Sequence, residues 1–283
     1  MDEVNRNAPD TRAGESVGAR LEVHALQVST HAGMGLLHPM SFALPAGVIT
    51  ALIGPEGAGK TLLLRTLFGL TLAVGRLDVA GAVILPDRTA LALDDAEYAE
   101  SVRRSMVWIP SAPAVLPGTL RDNLVYGLRL QGERKLSDPV QSILDRLGLS
   151  ESWSPRLHRC ASELNGEQRY LLALARSLIV DPRVVLVDVP AMSLSPAATG
   201  RMETLLQDLQ QDRVILMATH NLSQAARLSE MCLFLHAGRV MECSPTDRMF
   251  TCPERRETEW YLTGRYGSAQ LTQSKVWRNH GSR

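Results

Sequence analysis

At 283 residues, 45% of them hydrophobic, the chain can bury one large core or two modest ones. Thirty basic residues balance thirty acidic ones, so it lacks the positive field that nucleic-acid binding usually needs. The four cysteines (Cys160, Cys232, Cys243, Cys252) form no C-x-x-C pair; they read as reduced, structural thiols and argue against a zinc site.

Residues 1–19 are polar and aperiodic, which predicts a disordered tail, and they lack the apolar core of a secretory signal. Strand-like residues follow at Leu21–Val28 and Val48–Ile53. Further apolar runs occur at Met106–Ile109, Val184–Val187, Val214–Met217 and Cys232–Leu235. Several are continuous rather than alternating, as in strands buried on both faces of a largely parallel sheet. Helical patterning occupies 120–149, after Pro117-Gly118-Thr119. Ser195-Pro196 reads as a helix start, serine at the N-cap and proline at the first helical position. The final residues, 268–283, are polar again. Without a signal core the chain is expected to stay inside the cell, and since no apolar stretch approaches the ~18 residues of a membrane span, it is expected to meet membranes through a partner.

Directly after Val48–Ile53 stands Gly54-Pro55-Glu56-Gly57-Ala58-Gly59-Lys60-Thr61, running into Leu62-Leu63-Leu64. Strand, glycine-rich turn and helix N-terminus together make a phosphate cradle. Successive N–H groups point into one concavity, the helix dipole favours negative charge there, and glycines let the backbone come close. Lys60 is placed to reach the β- and γ-phosphates of a nucleoside triphosphate, and Thr61 to offer a hydroxyl to Mg²⁺. Only three lysines occur in the chain (Lys60, Lys135, Lys275), so Lys60 is not a common residue falling there by chance. Val184-Val185-Leu186-Val187-Asp188 ends another strand in a carboxylate, the group that holds the Mg²⁺ shell of such a nucleotide. Thr219-His220 follows the next strand.

Between the glycine-rich loop and Asp188 lies Glu163-Leu164-Asn165-Gly166-Glu167-Gln168, followed by Ala173-Leu174-Ala175-Arg176-Ser177-Leu178. This whole order, over about residues 20–267, resembles the ATP-binding subunits of ATP-binding-cassette (ABC) transporters. They carry in succession a P-loop, a Q-loop, an L-S-G-G-Q signature, a strand ending in Asp-Glu-Pro, a D-loop and a switch histidine. Tyr126–Gly132, Thr219–Arg227, Phe250–Pro253 and Thr258–Gly267 are similar, more narrowly, to stretches of phosphate-specific importer ATPases. The resemblance implies an α/β P-loop NTPase with a mainly parallel core sheet, an antiparallel β subdomain and an α-helical subdomain inserted at about 112–158. It implies ATP and Mg²⁺ as cofactors: the nucleotide on Gly54–Thr61 and on Asn165 and Gly166 of the signature, the metal on Thr61 and Asp188. Membrane permease subunits and a second ATPase chain are the implied partners, at the cytoplasmic face of the cell membrane; nucleic acid is not.

Five positions depart from the family pattern. Val189 stands where Asp188 should be followed by the general-base glutamate, and valine can neither orient nor polarise water. Ser111 replaces the Q-loop glutamine and is too short to span the same gap. Ser195 replaces the D-loop aspartate, which leaves capping as its simpler role. In the signature, Asn165 can cap the next helix as serine would. Glu167 replaces a glycine that approaches the partner's nucleotide. It is expected to rotate outward into solvent, avoiding a repulsion on the order of several kcal/mol. His220 is kept as the switch histidine of the catalytic motifs, whereas His31, near the family's adenine-stacking aromatic, reads more simply as a loop histidine. The expectation is an importer subunit, phosphate the favoured solute, whose own site is hydrolysis-impaired and which pairs with an intact cassette. An ordinary homodimeric phosphate-importer ATPase and a soluble ATP-binding regulator without a permease stay open as alternatives.

Overall fold

Two long strands, β1 (Arg20–Thr30) and β2 (Gly35–Pro45), pair antiparallel at the start of the computed structural model, which describes residues 19–73, 77–95, 97–190 and 194–265. The tails expected at both ends lie outside the described residues except for Ala19, whose carbonyl accepts from the Ala46 amide. After β3 (Ile49–Ile53), α1 (Lys60–Leu67) and α2 (Leu70–Ala73), strands β4 (Leu77–Ile84) and β5 (Ala90–Ala92) complete an antiparallel sheet of order β2-β1-β4-β5. Its register slips between His24 and Gln27 in β1, and opposite that slip Gly81 takes φ +112°, where an added Cβ would lie 2.7 Å from the His24 carbonyl. Only glycine lets β4 cross the irregularity.

Helix α3 (Tyr98–Val102) leads into β6 (Met106–Ile109), and the helical stretch predicted over 120–149 divides into α4 (Leu120–Leu130) and α5 (Ser137–Arg146), followed by α6 (Ser150–Trp153). Thr119 and Asp122 form a capping box at the start of α4, and buried Asn123 pins the preceding loop by bonding both backbone groups of Leu116. Then come α7 (Gly166–Leu178), β7 (Val184–Asp188), α8 (Pro196–Leu209), β8 (Val214–Ala218), α9 (Leu222–Leu228), β9 (Met231–His236), β10 (Arg239–Pro245), α10 (Thr246–Thr251) and α11 (Arg256–Leu262). The main sheet runs β10-β9-β3-β8-β7-β6, parallel throughout except for the β9–β10 hairpin at its edge.

The apolar runs are continuous because both faces are covered. Val185, Val187, Ile215 and Met217 pack with α4, α5, α7 and α8, whereas Val184, Leu186, Val214 and Leu216 pack with α1 and the antiparallel sheet. A third, smaller core joins Ile53 and Phe234 to α9, α10 and α11. Among the cysteines only Cys232 is buried; Cys160, Cys243 and Cys252 are exposed, which corrects their reading as structural. No helix among the described residues is long and apolar enough to cross a membrane. Parallel strands β3, β8, β7 and β6 are neighbours, so their C-terminal ends bring Gly54, Thr219, Val189 and Pro110 to one edge, where ligands of such sheets bind.

Candidate nucleotide site

The turn from Gly54 to Gly59 lies hard against its neighbours. A Cβ on Gly54 (φ +152°) would stand 2.1 Å from the Leu235 carbonyl oxygen, and one on Gly59 (φ +104°) 2.8 Å from Leu37 Cδ2. From behind, the Gly238 amide of the β9–β10 turn donates to the Ala58 carbonyl at 3.0 Å. Gly59 begins α1 in the left-handed conformation and no side chain caps the helix, which leaves its first amides to the concavity. Lys60 is 6% exposed and donates to the carbonyls of Gly54 (2.7 Å) and Pro55 (2.9 Å). Burial lowers the pKa of its ammonium, while Asp188 and Glu56 pull it back up. A buried cation resting on carbonyls of its own loop, beside uncapped amides, fits an anionic ligand.

Asp188 ends β7 on the same edge. Its Oδ2 accepts from Thr61 Oγ1 at 2.8 Å, joining the two residues expected to hold Mg²⁺. Hydroxyl and carboxylate oxygens are the hard donors that ion takes. Burial raises the Asp188 carboxyl, opposed by the Thr61 and Ser111 hydroxyls, His220 and Lys60. Ser111 Oγ approaches the same oxygen at 3.4 Å, so serine's short reach does not remove position 111 from the site; the contact is a long one. Buried Tyr170, which the sequence reading passed over, donates from its hydroxyl to the Asp188 carbonyl at 3.4 Å.

The Val189 amide continues the ladder to the Ala218 carbonyl at 2.9 Å, and its side chain lines a cavity of about 450 Å³ with Pro190, Leu194, Thr199, Thr219, His220, Asn221 and Gln224. None of these described lining residues carries a carboxylate. His220 is exposed at the end of β8, and desolvation first, then Lys60, lowers its imidazole pKa. Its loop is tethered on both sides: Thr219 Oγ1 donates to Gln224 Oε1 (2.8 Å) and accepts from the Asn221 amide (3.1 Å). Gln224 Nε2 in turn donates to Glu203 Oε1 of α8 at 2.9 Å, an oxygen that also accepts from Arg227.

At the signature, Asn165 caps α7 in a reciprocal box with Gln168, and Ser195 caps α8 through the Ala198 amide, both as expected from sequence. Glu167 does not rotate into open solvent. Its Oε2 accepts from the Ser195 amide at 2.7 Å, because the N-cap residue of α8 lies beside the first turn of α7. That hydrogen bond is the main cause of its lowered carboxyl pKa. His31 sits in the β1–β2 turn with Nδ1 2.9 Å from Asp78 Oδ1. Tyr261 of α11, beyond the reach of any local pattern, donates to the Gly54 carbonyl at 3.0 Å.

The profile of the family described as ABC transporter matches residues 37–192. Among curated proteins, the phosphate import ATP-binding protein PstB 1 of Vibrio vulnificus (strain YJ016) is 35% identical over 264 residues, covering 92% of this chain and 94% of that one. The protein of the same name from Yersinia pestis bv. Antiqua (strain Antiqua) is 37% identical over 235 residues, covering 82% and 86%. Among solved structures, an ATP binding subunit of an ABC transporter superposes with TM-score 0.71 at 23% identity, over 86% of this chain and 99% of that one. A bacterial Atm1-family ABC exporter with ATP bound gives TM-score 0.73 at 20% identity, over 92% of this chain and 44% of that longer one. At these identities the structural likeness speaks for the fold alone.

Proposed function

The chain belongs to the ABC transporter family of ATP-binding proteins, and from that premise we propose that it is the ATP-binding subunit of a phosphate importer whose own site holds nucleotide but hydrolyses it poorly. The solute follows from the relatives at 35–37% identity, which are named for phosphate import. One juxtaposition supports the impaired site: an intact cradle at Gly54–Thr61 beside a cavity where Val189 occupies the general-base position and no described lining residue supplies a carboxylate.

In this reading ATP supplies the reactive phosphoanhydride, and Mg²⁺ neutralises charge on its phosphates. The chain's residues do the rest. Amides of the glycine-rich turn and the head of α1 bind the phosphates, and Lys60 turns from the Gly54 and Pro55 carbonyls toward them. Thr61 and Asp188 hold the metal through the oxygens that already face each other. His220, its imidazole biased toward the neutral form, contacts the terminal phosphate. Val189 presents methyl groups and takes no proton from water. Asn165 and Gly166 face the nucleotide of a second ATPase chain, an intact cassette being the favoured partner because a homodimer would lack the base twice. Residues 20–267 form the ABC domain, with its helical subdomain at about 112–158, docked on permease subunits at the cytoplasmic face of the membrane.

The test is genetic and chemical together. A strain without this chain should lose uptake of labelled inorganic phosphate, recover it with the wild-type chain, and fail to recover it with Lys60→Ala. Unchanged phosphate uptake in the deletion strain would contradict the assignment.

A further inference from the structure

We propose that Tyr261 is a positioning residue for the nucleotide loop: its hydroxyl keeps the Gly54 carbonyl satisfied when Lys60 leaves that carbonyl for a phosphate. The proposal rests on Gly54–Thr61 being a triphosphate cradle. Two donors converge on one buried acceptor, Lys60 Nζ at 2.7 Å and Tyr261 Oη at 3.0 Å. A carbonyl oxygen has two lone pairs, and here both are claimed.

The two donors differ in what ligand binding asks of them. Lys60 must release both loop carbonyls to reach a phosphate. Pro55 is only half-buried, so water can replace the ammonium there, whereas Gly54 is packed against the Leu235 carbonyl and buried. With Lys60 gone, Tyr261 remains as a donor to that oxygen.

Tyr261 does not need to move to do this. Its ring stacks on Phe234 of β9 at 5.1 Å between centroids and 19° between planes. Phe234 is itself paired in register with Ile53, the residue before Gly54, and Thr258 one turn earlier in α11 is fully buried. The C-terminal helix is therefore fixed to the strand that delivers the loop, and holds its hydroxyl where the carbonyl will be in either state of Lys60.

Tyr261→Phe keeps the stacked ring and removes the donor. Removing a neutral hydrogen bond to a buried acceptor in the ligand-bound state should weaken binding about three- to ten-fold. Calorimetric titration of the full chain with Mg·ATP, in wild type, Tyr261→Phe, Lys60→Ala and the double variant, reads this directly. The expected result is a three- to ten-fold loss in Tyr261→Phe, but less than two-fold when the same change is made in the Lys60→Ala background, where no ammonium has to leave. A merely structural role would cost the same in both backgrounds, and that outcome overturns the proposal. So does superposition of the wild-type and Tyr261→Phe curves. Failure of the wild-type chain to bind Mg·ATP would instead overturn the cradle reading, and this inference with it. Thermal unfolding of each variant without nucleotide separates lost affinity from lost fold.

Discussion

Val189→Glu restores a carboxylate at the end of β7, and its consequence can be sized. The backbone at 189 is held by the 2.9 Å bond to the Ala218 carbonyl, so the new side chain starts where valine's does and faces the same cavity of about 450 Å³. That volume accommodates a carboxylate and several waters, each taking roughly 30 Å³. Valine is only partly buried against the core, so its loss costs about 1 kcal/mol of packing, little beside the stability of a domain of this size. A positioned general base lowers the barrier by ~3–5 kcal/mol, which is ~10²–10⁴ in rate. Phosphate release at saturating Mg·ATP should therefore rise by at least ten-fold in Val189→Glu over wild type, and the rise should vanish in Val189→Glu combined with Lys60→Ala. A variant that binds ATP as wild type does yet hydrolyses no faster would refute the claim that the missing carboxylate limits this site.

Gly54→Ala should lower the thermal midpoint by roughly 5–10 °C and abolish Mg·ATP binding, because the loop must move off the Leu235 carbonyl that a Cβ would meet at 2.1 Å. Asn165→Ala removes the cap on α7 and should cost about 1 kcal/mol in denaturant unfolding, with Asn165→Ser close to wild type. Glu167→Gln should lower stability at neutral pH. The folded carboxyl pKa lies below its ordinary value of 4.5, so its contribution is complete above that value and is lost as pH falls through the lower folded one. The midpoint difference between wild type and Glu167→Gln should be constant from pH 7 to about 5.5 and shrink below about 4.5; a difference that does not shrink would disprove the tie to Ser195.

What could be read from sequence followed burial and local chemistry. The buried strands β3, β7, β8 and β9 were legible because both faces are apolar, and the glycine-rich turn because its spacing follows from phosphate geometry. Caps at Asn165 and Ser195 act within three residues of themselves. Strands β2 and β4 were not legible: Pro39 interrupts one, and Gly81, placed for the irregularity of β1, interrupts the other. Contacts made across the fold left no mark at all. Glu167 turns toward an amide 28 residues away, and Tyr261 bonds a carbonyl 207 residues away. The approach of Ser111 to Asp188 was hidden for the same reason, since that distance depends on how β6 and β7 sit side by side.

A nucleotide site that binds without cutting is tested most directly by Mg·ATP binding and steady-state phosphate release measured on the same preparation of the isolated wild-type chain. Saturable binding that Lys60→Ala weakens markedly, with turnover close to the no-enzyme background, is the predicted result. Turnover of one or more ATP per second, lost in Lys60→Ala, would contradict it.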